Sequence, residues 1–320
     1  MRAGGSEGPD FARPVGPDGY AWWYVDALSA DGRRGLTLIA FVGSVFSPYY
    51  FAARQAGPAD PLEHCALNVC LYEPGAGRWR LTERGAADVE RSAERLAIGP
   101  STLEWGGDGL TVRIDEAARG KGVRGRLRVA PDAVSGESFT LHPGGGHLWR
   151  PLAPTAEVEL ELEEPAARFR GRGYFDMNWG ARPLERDFRT WSWARVEQAK
   201  GAAVLFDTRA RNGRDASLAL RFDRGGGVQR LEPPPPARLS RTLCQLPRPT
   251  RADPGARPRV LRTLEDTPFY ARSAIRTRLW GEEGVGMHET LDLDRFASGW
   301  MQRLLPYRMP REPLAEITPP

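Results

Sequence analysis

The chain has 320 residues, 41% hydrophobic and 27% charged, with a formal net charge of +4. Its length suggests two domains at roughly 100–200 residues each, and its composition argues against a polytopic membrane protein and a disordered chain. Lysine occurs only at Lys121 and Lys200, so almost all basic charge is arginine, spread among acids. That pattern is a solvated surface and not a one-sided footprint, so no nucleic-acid partner is expected. The modest positive charge permits weak attraction to an anionic membrane surface.

In chain order, residues 1–18 are rich in Gly and Pro, show no signal-peptide pattern, and are expected to be poorly ordered. Tyr20–Leu28 reads as a strand, Asp31-Gly32 as a turn and Leu36–Phe46 as the returning strand. The uncharged run from Gly35 to Ala53 reaches the lower length limit for a membrane span. Gly43, Ser44 and Pro48 interrupt it, and β-branched and aromatic residues dominate, so it reads as a buried strand followed by a loop. Strands follow at Leu67–Tyr72, Trp79–Thr82, Leu103–Trp105, Leu110–Ile114 and Val123–Val129. Val158–Glu163 alternates with period two, and Arg168–Arg172 answers it across Glu164-Pro165-Ala166, which sets glutamates opposite arginines on an outer face.

A second β run covers Trp191–Val196, Ala202–Thr208, Ser217–Phe222, Val228–Leu231, Val260–Leu264 and Ala274–Trp280. Pro233–Pro236 and Pro247–Pro258 read as loops. Asp294–Leu305 is the one helical stretch, with Asp294 as N-cap and Phe296, Trp300 and Leu304 on one side. The expected fold is mainly β: two lipocalin-like antiparallel barrel or sandwich domains, residues 19–185 and 186–320, the second ending in a helix.

Several short patterns carry little. Gly4–Gly8 matches a nucleophile elbow but has no strand before it or helix after it. Cys65, Cys70 and Cys244 form no paired framework, which fits a reducing compartment. His64 with Cys65 and Cys70, or His142 with His147, could be imagined as metal ligands. Both sets lack further donors, and no metal is expected.

Two segments combine reactive and aromatic residues: Gly146-His147-Leu148-Trp149-Arg150 and Gly173-Tyr174-Phe175-Asp176-Met177-Asn178-Trp179-Gly180. Strand alternation points His147 with Trp149 and Tyr174 with Asp176. If Val158–Glu163 is a separate strand between them, the segments lie about 10 Å apart in a meander. Tyr174 and Asp176 share parity with Arg168, Arg170 and Arg172, so either a bulge at Gly171 or Gly173 switches the face or the site opens toward the other domain. A bland reading stands beside this one: Asp176 and Asn178 cap a turn, and His147 is a satisfied core histidine.

Longer motifs change the balance. Gly19–Leu28 (GYAWWYVDAL), Gly35–Tyr50, Thr82-Glu-Arg-Gly85, the His147/Trp149 segment, Gly173–Gly180 (GYFDMNWG), Leu293–Trp300 and Leu305–Met309-Pro310 together resemble the carotenoid 1,2-hydratases, or hydroxyneurosporene synthases, of photosynthetic bacteria. The matches run from about residue 19 to residue 310. The resemblance implies two lipocalin-like domains and a cofactor-independent hydro-lyase that adds water to the terminal C1=C2 bond of acyclic carotenoids such as neurosporene and lycopene. It also implies a catalytic set of His147, Trp149, Tyr174 and Asp176.

The chemistry suits these residues. An isolated alkene is a weak base and needs a positioned acid. Asp176 is the proposed donor, kept protonated by burial. Trp149 and Tyr174 face the cation, and His147 either tunes the acid or handles the water. Trp22, Tyr24, Phe46, Tyr49, Tyr50 and Trp179 are the candidate lining. The substrate dissolves in a bilayer, so peripheral attachment on the cytoplasmic side of the membrane is expected, through Ser47–Phe51 and the helix around Trp300 with Arg303 and Arg308. A non-catalytic polyene or lipid carrier and a cyclase on the same scaffold are the alternatives, and a carrier gains nothing from a buried acid.

Overall fold

The computed structural model describes residues 8–29, 31–75, 77–116 and 121–312. The chain forms two compact units. The first comprises Met1–Ser138, Trp149–Pro183 and Arg303–Pro320, and the second Phe139–Leu148 and Leu184–Gln302. The chain thus passes between units at four places, where the sequence suggests one junction near residue 185.

The first unit is built on β1 (Tyr20–Ser29), β2 (Gly35–Val42), β3 (Cys65–Tyr72), β4 (Arg78–Arg84), β5 (Val89–Arg91), β6 (Arg95–Ile98), β7 (Ser101–Gly106), β8 (Gly109–Glu116) and β9 (Val123–Pro131). After the two-residue β10 (Phe139–Thr140), which belongs to the second unit, come β11 (His147–Glu164) and β12 (Ala167–Gly180). Their order across the sheet is β4-β3-β2-β1-β12-β11-β9-β8-β7-β6-β5. Leu67 and Val69 of β3 share one core with Leu96 and Ile98 of β6, far away along the strand order, so the sheet curls into a nearly closed barrel. Trp23, Val25, Leu127, Leu160, Phe175 and Met177 fill that core.

Three sequence expectations change here. Residues 8–18 are tied down: Phe11 is fully buried, packs edge-on against Trp23 at 5.1 Å and donates its N–H to the carbonyl of Ala93. Residues 1–7 lie outside the described residues. The expected loop Ser47–Phe51 opens a helix, α1 (Pro48–Ala56), because the Ser47 hydroxyl accepts from the Tyr50 N–H and Pro48 sits where a helix needs no donor. Finally, Val158–Glu163 is not a separate strand. β11 runs unbroken from His147, and its ladder with β9 begins only at Ala156, so Pro151 and Pro154 remove no donor from that ladder.

The second unit holds α2 (Leu184–Asp187), β13 (Phe188–Gln198), β14 (Gly201–Ala210), β15 (Ala216–Asp223), β16 (Val228–Arg230), β17 (Pro236–Leu239), β18 (Arg248–Arg251), β19 (Arg259–Asp266), β20 (Tyr270–Leu279) and β21 (Glu282–Asp292). Seven strands pair in the order β16-β15-β14-β13-β21-β20-β19, and β17 pairs with β18; β18 and the first residue of β17 fall in segments expected to be loops. β21 is absent from the sequence reading. Its glycines serve close approach and not a turn: a Cβ on Gly286 would stand 1.8 Å from the Arg195 carbonyl oxygen.

The expected C-terminal helix is two, α3 (Leu293–Phe296) and α4 (Gly299–Arg308), and the first is capped by Asp292, not Asp294: the Asp292 carboxylate accepts from the Arg295 N–H at 2.9 Å. On α4, Met301 and Leu305 are buried, while Trp300, Leu304 and Tyr307 are exposed beside Arg303 and Arg308.

Candidate functional site

Strand alternation and one unbroken register build the site in the first unit. β1 and β12 pair antiparallel without a slip from Tyr20 opposite Gly180 to Ser29 opposite Gly171. No bulge switches the face at Gly171 or Gly173. These glycines answer a different need: a Cβ on Gly171 would stand 1.8 Å from the Leu28 carbonyl oxygen, and one on Gly173 would stand 2.3 Å from a Val158 methyl.

One face of β12 therefore carries both groups. At its first end Arg168 and Arg170 are exposed and pair with Glu161 and Glu159 of β11, as the alternating glutamates suggest. Beyond Gly173 the same face is buried, and there stand Tyr174, Asp176 and Asn178, each no more than 3% exposed.

Asp176 is the centre of this cluster. The Tyr174 hydroxyl and the Trp149 indole N–H both donate to its Oδ2 at 2.7 Å. The same indole N–H lies 3.1 Å from the Tyr174 hydroxyl, and Asn178 Nδ2 donates to Oδ1 at 3.2 Å. Burial and the adjacent Asp176 carboxyl push the Tyr174 hydroxyl well above the ordinary phenol range, so it stays a neutral donor and acceptor. Three donors on a carboxyl in dry surroundings stabilise the anion left when it gives up a proton, and they stand ready before the proton moves. Asp176 lies in the body of a strand, so the turn-capping reading falls. Asn178 was missed as a partner of the acid, although its spacing of two from Asp176 in a strand is the signal for a shared face.

Trp22 and Tyr24 stand on the same face, opposite Asn178 and Asp176 in the register. Tyr24 meets Tyr174 edge-on at 6.2 Å, and Trp22 touches Phe41, which in turn meets Phe46. Four further aromatics of the expected lining are placed otherwise or less closely. Phe46 reaches the face only through Phe41. Tyr49 is half-buried on α1. Tyr50 serves the scaffold: its hydroxyl donates to the Gly19 carbonyl at 2.7 Å and its ring stacks on His64. Trp179 has the opposite parity to Asp176, packs beside the barrel core and carries Arg13 over its ring at 4.2 Å.

His147 belongs to the second unit, whose boundary falls between Leu148 and Trp149. It is fully buried, and its Nε2 lies 2.7 Å from Oδ2 of Asp187, a partner the sequence reading did not find. Its ring packs against Phe188 at 4.8 Å and His142 at 6.0 Å. The other candidate ligand group is also occupied: His64 Nδ1 pairs with Glu83 at 2.8 Å, and burial pushes the Cys65 thiol up to about 12. Among the described residues no three His, Cys, Asp or Glu converge as metal ligands.

The chain is similar to several known proteins. The family described as carotenoid hydratase CrtC matches residues 38–318. The chain is 51% identical over 314 residues to an acyclic carotenoid 1,2-hydratase of Thiocapsa roseopersicina, covering 96% of this chain and 78% of that protein. It is 46% identical over 308 residues to the enzyme of the same name from Rubrivivax gelatinosus, covering 95% and 76%. Among solved structures it resembles an AttH protein of Nitrosomonas europaea (TM-score 0.62, 16% identity, covering 91% of this chain and 98% of that one). It also resembles kievitone hydratase of Nectria haematococca (TM-score 0.57, 10% identity, covering 90% and 93%). At such identities the structural likeness speaks for the fold alone.

Proposed function

The chain belongs to the carotenoid hydratase CrtC family, and from that premise we propose that Asp176 is the acid with which it hydrates a terminal C1=C2 double bond. The chain is an acyclic carotenoid 1,2-hydratase, a hydro-lyase of carotenoid biosynthesis. Neurosporene and lycopene fit the proposal as substrates, because each presents an isolated trisubstituted alkene at its end.

The observation that carries the reading is the convergence of Trp149, Tyr174 and Asn178 on one buried carboxyl. Protonation at C2 moves the π electrons into a new C–H bond and leaves a tertiary cation at C1. The proton comes from Asp176, and the three donors hold the resulting carboxylate. The aromatic faces of Trp149, Tyr174 and Tyr24 stabilise the cation by about 0.5–2 kcal/mol each. Water then adds at C1. A carrier would keep such an acid only at a cost in stability, since burying a carboxyl among aromatic rings is unfavourable.

We also propose that the protein works as a peripheral protein on the cytoplasmic side of the membrane, where its substrate dissolves. No described helix is long and apolar enough to cross a membrane. The exposed Trp300, Leu304 and Tyr307 of α4, flanked by Arg303 and Arg308, suit an interfacial contact with anionic lipid. In a flotation assay Trp300→Asp should lose vesicle binding; binding equal to wild type would remove α4 from this role.

The activity test is incubation of the purified protein with lycopene in detergent, without added cofactor, followed by chromatography and mass spectrometry. The expected product is heavier by one water and absent with Asp176→Asn. Bound but unchanged lycopene would favour the carrier.

A further inference from the structure

The addition needs a second proton transfer, because water bonded to a cation must lose a proton. Asp26 of β1 is a second carboxyl on the acid-bearing face, and no step above uses it. It is fully buried and stands directly opposite Tyr174 in the β1–β12 register, as Tyr24 stands opposite Asp176. Asp26 and Asp176 are therefore diagonal cross-strand neighbours on one face, with Cα atoms about 7–8 Å apart. Both carboxyls act electrostatically on the Tyr174 hydroxyl, and two carboxyls that flank a reacting centre can serve as one acid and one base, as in the carbohydrate enzymes that place the two across a bond. Here the two reacting carbons are bonded neighbours, so an acid reaching C2 and a base reaching the water at C1 need just such a short offset.

We propose that Asp26 is the base that takes the proton from the attacking water. The proposal rests on Asp176 being the acid. The balance is complete without an oxidant or reductant: the Asp176 proton goes to C2, a water lone pair forms the C1–O bond, and one O–H bond breaks to leave its electrons on oxygen and its proton on Asp26. That proton then returns to Asp176, directly or through solvent, and the net change is the addition of one water. The two carboxyls also sustain each other's states, since like charges this close in dry surroundings resist both being ionised. The proposed step needs Asp176 to carry the proton and Asp26 to be ionised before the reaction, and the three donors on Asp176 hold its carboxylate once the proton has left.

The groups that bear on this balance are few on the described strands around it. β12 contributes Tyr174 and Asn178 and, diagonal to Asp26 on the side away from Asp176, Arg172, which pairs with Asp132; β11 contributes Trp149, and β1 contributes Tyr24 beside Asp26. β2 turns Thr37, Ile39 and Phe41 to that face, with no ionisable group among them. β3 adds Asn68, Cys70 and Tyr72, the last with its hydroxyl 3.4 Å from Thr37.

The test is the pH dependence of lycopene hydration in detergent for wild type, Asp26→Asn, His147→Gln and Asp176→Asn, each checked for fold by circular dichroism. Wild type should give a bell. Asp26→Asn should lower kcat by about 10²–10⁴ with KM within a few-fold, and its residual rate should lack the acid limb, which a merely structural role would leave in place. Added formate should restore at least tenfold of the rate to Asp26→Ala. A kcat within threefold of wild type with the acid limb intact, or an acid limb lost only in His147→Gln, would overturn the assignment. Should the Asn and Ala variants not fold, Asp26→Glu decides: a lower kcat with the acid limb kept supports the base, and an unchanged kcat refutes it. Turnover by Asp176→Asn would instead sink the acid, and this inference with it.

Discussion

On one face of the β1–β12 pair lie Ala21, Trp23, Val25, Phe175 and Met177; on the other lie Trp22, Tyr24, Asp26, Tyr174, Asp176 and Asn178. Both sets are buried. The first is apolar throughout and adds stability by removing apolar surface from water. The second places two carboxyls, an amide and two phenols where apolar side chains would stabilise more. Two faces of the same two strands, with the same register and burial, thus differ only in chemistry. With Asp176 as the proposed acid, what the second face gains is a reaction, and a substitution there should separate activity from stability.

The sharpest way to break this contrast is Asp176→Asn. It should cost at least a thousandfold in kcat, about 4 kcal/mol of transition-state stabilisation, while far-UV circular dichroism stays that of wild type. On the opposite face Phe175→Ala should do the reverse, lowering stability by about 3–5 kcal/mol in urea titrations because a buried ring is lost beside Trp105. Its residual activity per folded molecule should stay within a few-fold. If both variants lost activity and stability together, the two faces would not be separable.

A control lies outside both faces. His288 in the second unit is fully buried, and its Nε2–H donates to the Pro249 carbonyl at 2.8 Å. Burial lowers its pKa from the ordinary 6.5 to about 4. As pH falls below 6.5 the unfolded chain takes up this proton first. Stability therefore declines between about 6.5 and about 4, by up to about 3 kcal/mol, and levels off below. His288→Gln should flatten that part of the stability–pH curve without moving the activity–pH profile. The smallest expected effect is Trp149→Phe, which keeps the ring and removes one donor from Asp176. It should lower kcat by about 10–100-fold with little change in melting temperature; a rate equal to wild type would show that the indole N–H plays no part.

Much of this was legible in the residues. Period-two alternation and turn chemistry located most strands, and the spacing of Tyr174 and Asp176 put them on one face. What escaped has identifiable causes. Pro48 reads as a breaker in isolation and is the first residue of α1 in context. Gly284 and Gly286 interrupt the apolar alternation that marks a strand, yet they lie under neighbouring carbonyls inside β21. Pro151 and Pro154 hide the fact that Trp149 and Val158 share one strand. The partnerships of Asp187 with His147 and of Asp26 with Tyr174 come from register and chain passage, which local patterns do not encode.

The most direct test of the central claim is hydration of lycopene in D₂O, with wild type and Asp176→Asn compared by mass spectrometry and NMR of the product. Wild type should yield the 1-hydroxy product with a single deuterium at C2, and Asp176→Asn should bind the polyene yet yield no alcohol. Product from the variant at the wild-type rate, or deuterium at a carbon other than C2, would contradict the assignment of Asp176 as the acid.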